Sequence, residues 1–278
     1  MTQDLNTLLT ALYVKVDDEI GVTRWMGRPP RLSDSELVCL AVAQAVLGFH
    51  SEARWLRFAR KHLSSMFPYL PQQSGYNKRL RAALPLVKRV IREPAADTAF
   101  WFDDVWITDS HPGGGRPLPA DGQTLGPGRL GGLRILPLPH RFYCGLRLFL
   151  VCTPAGMPIT GALASPKTDE REVLATMLDR EPHLARDPPG LLLIADKGFA
   201  SMDFEADLAR QGITLLRPSF KREKTRPGEP LLKSVRQLIE SVNDTLKGQL
   251  GLEQHGERTF EGVAARVAQR VLAMAAAI

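Results

Sequence analysis

Three acidic residues stand where a carboxylate can do chemistry. Asp109 ends the stretch Val105-Trp106-Ile107-Thr108, whose period of two predicts a strand. Asp196 ends the apolar run Leu191-Leu192-Leu193-Ile194-Ala195 and precedes Lys197-Gly198-Phe199. A short, continuous apolar run of this kind predicts a strand buried on both faces. Glu240 lies inside Leu231 to Leu250, a predicted amphipathic helix. Open α/β sheets place their sites at strand ends. Singly, each acid has a plain structural reading: a turn residue, a helix cap and a solvated helix position. Together they gain from their surroundings. On a helical wheel Val235, Leu238, Ile239, Val242 and Leu246 form an apolar stripe, and Lys233, Arg236, Glu240 and Lys247 share one flank of it. One carboxylate among three cations suits a site that holds a divalent cation and phosphates side by side.

The elements that must position these acids can be read from caps, breaks and periods. Residues 1–93 predict helices. Leu5, Leu8, Leu9 and Leu12 repeat at helical spacing, and Ser33 with Glu36 forms a capping box ahead of the apolar Leu37 to Leu47. Ser51 predicts the N-cap of a helix through Leu63, and Pro68-Tyr69-Leu70-Pro71 breaks it. A fourth helix is expected over Tyr76 to Ile91, with Pro85 a kink or a boundary. Beyond Glu93 the pattern changes to strands at Val105–Asp109, Phe142–Thr153 and Met157–Leu163. A helix at Glu170–Arg180, the strand Leu191–Ala195, a helix near Phe204–Gln211 and a strand at Thr214–Arg217 follow. Helices at Leu231–Leu250 and Val263–Ala276 close the chain. Three strands, then alternating helix and strand, predict an α/β domain with a mixed sheet over 96–278, preceded by an all-helical domain over 1–95.

Charge is patterned along these elements. From Arg54 to Arg92 there are ten Lys or Arg residues and no acid; from Arg217 to Arg236 there are seven, against Glu223 and Glu229. Each is either a solvated face or a phosphate-backbone surface. The acid-free run, and the second run's place directly before Glu240, favour phosphate. The expected contacts are Arg57, Arg60, Lys61, Lys78 and Arg79 in the first segment, with Lys221, Arg222, Lys224, Arg226, Lys233, Arg236 and Lys247 in and beyond the second.

Thr108-Asp109-Ser110, Ala195-Asp196-Lys197-Gly198-Phe199 and Arg236-Gln237-Leu238-Ile239-Glu240-Ser241-Val242-Asn243 resemble the three catalytic blocks of DDE-type bacterial insertion-sequence transposases. The resemblance is closest to the insertion-sequence family numbered nine-eight-two. The Arg236, Glu240 and Lys247 spacing is similar to a signature of related transposases that has Tyr where this chain has Lys233, so no Tyr role is carried over. The resemblance implies a ribonuclease-H-like fold: a mixed sheet with flanking helices, the first Asp on the first strand, the second on the fourth, the last acid on a following helix. It implies DNA cleavage and strand transfer, with Asp109, Asp196 and Glu240 as catalytic residues and ligands of two Mg²⁺ ions, Mn²⁺ being a plausible substitute, and Asp109 bridging them. The implied partners are double-stranded DNA, at transposon ends and target, and a second copy of the chain in the DNA complex. A nuclease without strand transfer shares the same site.

Composition agrees with these expectations. The chain has 278 residues, 44% hydrophobic and 24% charged, with a net charge of +6, which excludes wholesale disorder. Cys39, Cys144 and Cys152 show no metal-ligand spacing and argue for a reducing compartment. Neither a secretion signal nor an apolar run of ~18 residues is visible, so a cytoplasmic, nucleoid-associated protein without membrane contact is expected. One segment stands apart. Gly113 to Pro139 contains eight Gly and five Pro among 27 residues, with no Lys and no aromatic residue. It is expected to form an irregular insert, either a long loop or the product of a local frameshift. Read one nucleotide later, with GC-rich codons where the code leaves them free, it yields a basic, aromatic-containing stretch like that of the family. A frameshift there would leave the three acids intact and compromise activity, giving a relic that binds DNA without cutting it.

Overall fold

A computed structural model of the chain describes residues 2–21, 28–91, 93–96, 104–112, 133–135, 146–179, 190–254, 256–257 and 259–278. Its N-terminal helices are α1 (Thr2–Ile20), α2 (Asp34–Val46), α3 (Glu52–His62), α4 (Gln73–Ala82), α5 (Leu84–Val90) and the short α6 (Glu93–Ala96). Local chemistry explains their limits. Ser33 Oγ accepts from Glu36 N–H at 3.0 Å while the Glu36 carboxylate accepts from Ser33 N–H at 2.6 Å, the full capping box of α2. Ser51 caps α3 through Arg54 N–H. Pro85 is a boundary and not a kink: it opens α5, where its missing N–H removes no helical hydrogen bond.

Six strands follow: β1 (Val105–Pro112), β2 (Leu133–Ile135), β3 (Arg147–Cys152), β4 (Pro158–Ala164), β5 (Leu192–Ile194) and β6 (Thr214–Leu216). They form one sheet in the order β2-β4-β3-β1-β5-β6. β1, β3 and β4 pair antiparallel, whereas β5 and β6 run parallel to β1. Parallel strands need a crossover; α7 (Glu170–Asp179) leads to β5 and α8 (Met202–Arg210) to β6. An antiparallel meander followed by two strands parallel to its first is the ribonuclease-H-like arrangement. The helices α9 (Leu232–Asp244) and α10 (Phe260–Ala277) complete the chain, and α9 runs on into a π-helical turn, Thr245–Gln249.

β2 corrects one expectation. Leu133–Ile135 lies within the segment expected to lack regular structure, yet it pairs parallel to β4 with Leu133 beside Gly161 and Ile135 beside Leu163. An exposed sheet edge offers a ready row of backbone partners, so three residues can pair without a visible period of their own. The remainder of 113–139 lies outside the described residues, as do Phe142 to Gly145.

Both faces of the sheet are covered. Trp106, Phe149, Val151 and Ile159 pack against Val173, Leu174 and Met177 of α7 and Phe204 and Leu208 of α8. On the other face Leu148, Leu150, Cys152 and Leu163 join one continuous core with α1–α5 and α10. Ile107, Ile194 and Leu216 meet Leu232 and Val235 of α9 there. Leu238, expected in the apolar stripe of α9, is instead 41% exposed: it borders the cavity beneath the helix, where the strands do not fully cover it. Among the described residues, no helix is long and apolar enough to cross a membrane.

The N-terminal helices meet α10 along a buried polar seam. Arg266 pairs with the Glu52 carboxylate and donates to Gln44 Oε1 at 3.2 Å and Gln269 Oε1 at 2.8 Å. Tyr76 Oη donates to Gln44 Oε1 at 2.8 Å, and Arg270 Nε donates to the Leu250 carbonyl at 2.9 Å. Burial, reinforced by Arg270, pulls the Arg266 guanidinium down to about 9. The carboxylate beside it offsets the cost of holding that charge inside the protein.

Candidate active site

β1 and β5 are neighbouring parallel strands, with Ile107 beside Ile194. β1 runs on to Pro112, so Asp109, expected at the strand's end, lies within it opposite Leu150 of β3, while Asp196 stands two residues past the end of β5. Both are two residues beyond this neighbouring pair, on strands about 4.8 Å apart. Residues two apart on a strand share a face. Ile107 and Ile194 pack beneath α9, so both aspartates start on the face that α9 covers. The half-buried Asp109 is held from two sides. Its Oδ1 accepts from Ser110 N–H at 2.8 Å and its Oδ2 from Asn243 Nδ2 of α9 at 2.7 Å. Asp196 is exposed and caps the 3₁₀ turn Lys197–Phe199, its Oδ1 accepting from Gly198 N–H at 2.8 Å.

Glu240 is exposed and stands one turn before Asn243. Positions three apart on a helix are surface neighbours, so Glu240 adjoins the residue that touches Asp109. The structure therefore sets Asp109 and Asp196 side by side, ties Asp109 to α9, and leaves Glu240 facing solvent one turn from that tie. Among the described residues, no three His, Cys, Asp or Glu side chains stand close enough together to hold one metal ion. The donor chemistry nonetheless fits a hard divalent cation, because every candidate ligand is a carboxylate oxygen. Beneath α9 lies a cavity of about 20 Å³ lined by Asp109, Asn243, Leu150, Cys152 and Val242, among others; that is room for roughly one water. Burial and the nearby Asp109 charge push the Cys152 thiol upward, so it stays a neutral packing residue.

Two site residues were not legible from sequence. Asn243 belongs to the block around Glu240, but its role emerges only where α9 crosses β1. Glu170 opens α7, where an acid ordinarily just complements the helix N-terminus. In the fold its Oε1 accepts from Ser110 Oγ at 2.8 Å and pairs with Arg147 at 2.5 Å.

The family model described as Transposase DDE domain matches residues 136–276, just over half of the chain. The chain belongs to this transposase family. The match takes in Asp196 and Glu240; Asp109 lies before its start. No curated protein matches the sequence. Low-level structural similarity extends to the piggyBac transposase in a synaptic complex with hairpin DNA. There the identity is 12% over 82% of this chain and 51% of that one, with a TM-score of 0.31. It extends also to the Mos1 strand transfer complex (12% identity, 91% of this chain and 80% of that one, TM-score 0.28). A Mos1 paired-end complex with the left transposon end compares at 13% identity, 92% and 81% coverage and TM-score 0.28. The chain spans about half the length of the piggyBac chain.

In this DDE-family chain the basic segments divide into ties and free surface. The acid-free run Arg54–Arg92 meets acids from elsewhere: Arg79 pairs with Asp34 at 2.6 Å, Arg81 with Glu257 at 3.0 Å and Arg89 with Glu19 at 3.5 Å. Arg57 and Arg60 are exposed and donate to the Ala53 and Pro71 carbonyls, and Lys61 and Lys78 are exposed. In the second segment Arg217 is buried and pairs with Glu205 at 2.8 Å and Glu223 at 2.9 Å. Arg226 reaches the same two acids at 2.9 and 2.8 Å. Glu229 accepts from Ser219 N–H and Oγ and from Arg226 N–H, which pins the base of the loop. Lys221, Arg222 and Lys224 remain exposed at its tip. Lys247 is exposed on the π turn, 3.8 Å from Glu253. The side chains of Lys233 and Arg236 lie outside the described residues.

This loop has a pH signature. The Arg217 guanidinium, the Phe220 N–H and Arg226 together hold the Glu223 carboxyl down at about 2. A depressed folded-state value means that the stabilisation is complete above the ordinary carboxyl value and is lost as pH falls through the folded one. Acidification from about pH 5 to about pH 2 is therefore expected to release residues 217–229 progressively, with the exchange of the Phe220 and Ser219 amides accelerating. Exchange rates in this loop that follow only the general pH dependence of exposed amides would count against the network.

Proposed function

We propose that this chain is a transposase that cleaves DNA at the ends of an insertion sequence and transfers the strand to target DNA. It would be a member of the insertion-sequence family numbered nine-eight-two. The observation that carries the reading is the β1–β5 register, which sets Asp109 and Asp196 each two residues beyond the neighbouring Ile107 and Ile194, beneath a helix that bears Glu240 one turn from its contact with Asp109. Asp109, Asp196 and Glu240 would hold two Mg²⁺ ions, or Mn²⁺ in their place. When bound, these polarise the scissile phosphate and lower the pKa of the attacking water or 3′-hydroxyl. The protein's own part is positional. The β1–β5 register keeps the two aspartates adjacent, Ser110 N–H and Asn243 orient Asp109, and Gly198 N–H orients Asp196. The π turn after α9 presents Lys247 on the same helical segment, where an ammonium can meet a phosphate. Lys221, Arg222 and Lys224, with Arg57, Arg60, Lys61 and Lys78, are the exposed cations for the DNA backbone. Arg79 and Arg226 serve chiefly as ties to protein carboxylates. The transposase would act as a homodimer, one copy on each transposon end.

Binding to transposon-end DNA should weaken roughly 1000-fold between about 50 and 200 mM salt if some six phosphates are contacted. A flat isotherm over that range would sink the assignment of these surfaces. A second reading, a DNA-binding relic that no longer cuts, is favoured by the Gly- and Pro-rich composition of 113–139. Restoring the alternative reading frame over codons 113–139 separates the two: equal Mg²⁺-dependent cleavage by both forms removes the relic reading.

A further inference from the structure

Glu170 lies 60 residues beyond Ser110, in the first turn of α7 and on the opposite side of the sheet from α9. Its two oxygens do different things. Oε1 is shared by Ser110 Oγ of β1 and the Arg147 guanidinium that opens β3, so this one atom joins two neighbouring strands beside Asp109. Oε2 turns towards the turn after β5. A Cβ built on Gly198 would lie 3.0 Å from Glu170 Oε2 and 3.0 Å from Asp196 Oδ1. The two carboxylate oxygens thus flank one small residue and are at most about 6 Å apart, a like-charge approach that favours a cation nearby. The same end of α7 is docked a second time, by Arg171 Nη1 donating to the Ala200 carbonyl at 3.1 Å. The helix is anchored to the loop that carries Asp196 and not only to the core.

We propose that Glu170 is a positioning residue for the acid site. It braces the part of β1 that carries Asp109 and the turn that carries Asp196, and adds negative potential beside Asp196, strengthening the site's hold on a divalent cation. Gly198 is glycine because any side chain there would part the two carboxylates. The proposal rests on reading Asp109 and Asp196 as metal ligands. Glu170→Gln keeps acceptors for Ser110 and Arg147 but removes the charge, so a purely structural brace would survive it.

The experiment is a titration of the full chain with Mn²⁺, followed by the electron paramagnetic resonance signal of the free ion, alongside DNA binding without metal. Glu170→Gln should weaken Mn²⁺ binding roughly 10-fold, the lower end of what outer-shell partners contribute, with metal-free DNA binding unchanged. Gly198→Ala should weaken it similarly from the other side, and serves if Glu170→Gln folds poorly. Glu170→Asp, which keeps the charge on a shorter arm, should recover part of the loss. Asp109→Asn run in parallel separates the failures. Mn²⁺ binding lost in Asp109→Asn but unchanged in Glu170→Gln and Gly198→Ala overturns the role of Glu170 alone. Binding unchanged in all three overturns the metal site, and this proposal with it.

Discussion

Asp109→Asn is expected to lower Mg²⁺-dependent cleavage of transposon-end DNA by roughly 1000-fold, equivalent to about 4 kcal/mol of transition-state stabilisation. DNA binding should be retained. The substitution is nearly isosteric, and one amide oxygen can still accept from Ser110 N–H or Asn243. What it removes is the charge on β1 that a divalent cation requires. The exposed cations at 57, 60, 61, 78, 221, 222 and 224 lie on other elements and are untouched. Asp196→Asn should behave alike. Single-turnover cleavage assays with saturating DNA read the effect directly. An Asp109→Asn protein that cuts within about tenfold of the parent rate would remove Asp109 from the catalytic set. Loss of DNA binding together with cleavage would instead mean that the fold had been damaged.

Glu52→Ala is expected to destabilise the protein by about 3–5 kcal/mol, the range for stranding one partner of a buried pair. Arg266 is 4% exposed at the seam between the N-terminal helices and α10, and Glu52 at 8% is the carboxylate in contact with it. Glu257 lies farther from it, at 3.4 Å from Nε, and is also engaged by Arg81. Removing Glu52 leaves a guanidinium inside the protein short of its counter-charge. Replacing both partners at once, as in Glu52→Leu with Arg266→Met, should recover most of the loss, because no charge is then stranded. Urea denaturation of the two variants checks this. A single Glu52→Ala change that costs under about 1 kcal/mol would place the seam's stability in its apolar contacts instead.

Much of the architecture is local information. Ser33 and Glu36 form their capping box within one turn, Ser51 caps α3, and Pro85 splits α4 from α5, because each effect acts between residues a few positions apart. The alternation before Asp109 and the apolar run before Asp196 marked β1 and β5 for the same reason. Tertiary packing overrides local pattern at two places. Leu238 fits the apolar stripe by spacing but is 41% exposed, since a stripe says which face is apolar and not how far its partner surface extends. Leu133–Ile135 pairs with β4 without any period of its own, since an edge strand borrows its order from its neighbour.

The acid-free run Arg54–Arg92 shows the same limit in charge. Its sequence contains no partner, yet Asp34, Glu19 and Glu257 supply three. In the Arg217–Arg236 segment the buried Arg217 and half-buried Arg226 are structural ties, and composition alone does not distinguish them from the exposed Lys221, Arg222 and Lys224.

The sequence by itself determined the types and order of most of the elements and the three acids in order, one in a strand, one just after a buried strand and one on a late helix. Those properties follow from backbone preference, capping and hydrophobic period, which operate over a few residues. Only the tertiary structure decided that the strand carrying Asp109 neighbours the strand that Asp196 follows, that Asn243 reaches Asp109 from 134 residues away, and that Glu170 closes on Ser110 from 60. These are contacts between side chains whose separation in the chain carries no pattern. They exist because the parallel register of β1 and β5 and the docking of α7 and α9 on opposite faces bring distant carboxylates and amides together around β1 and the turn after β5.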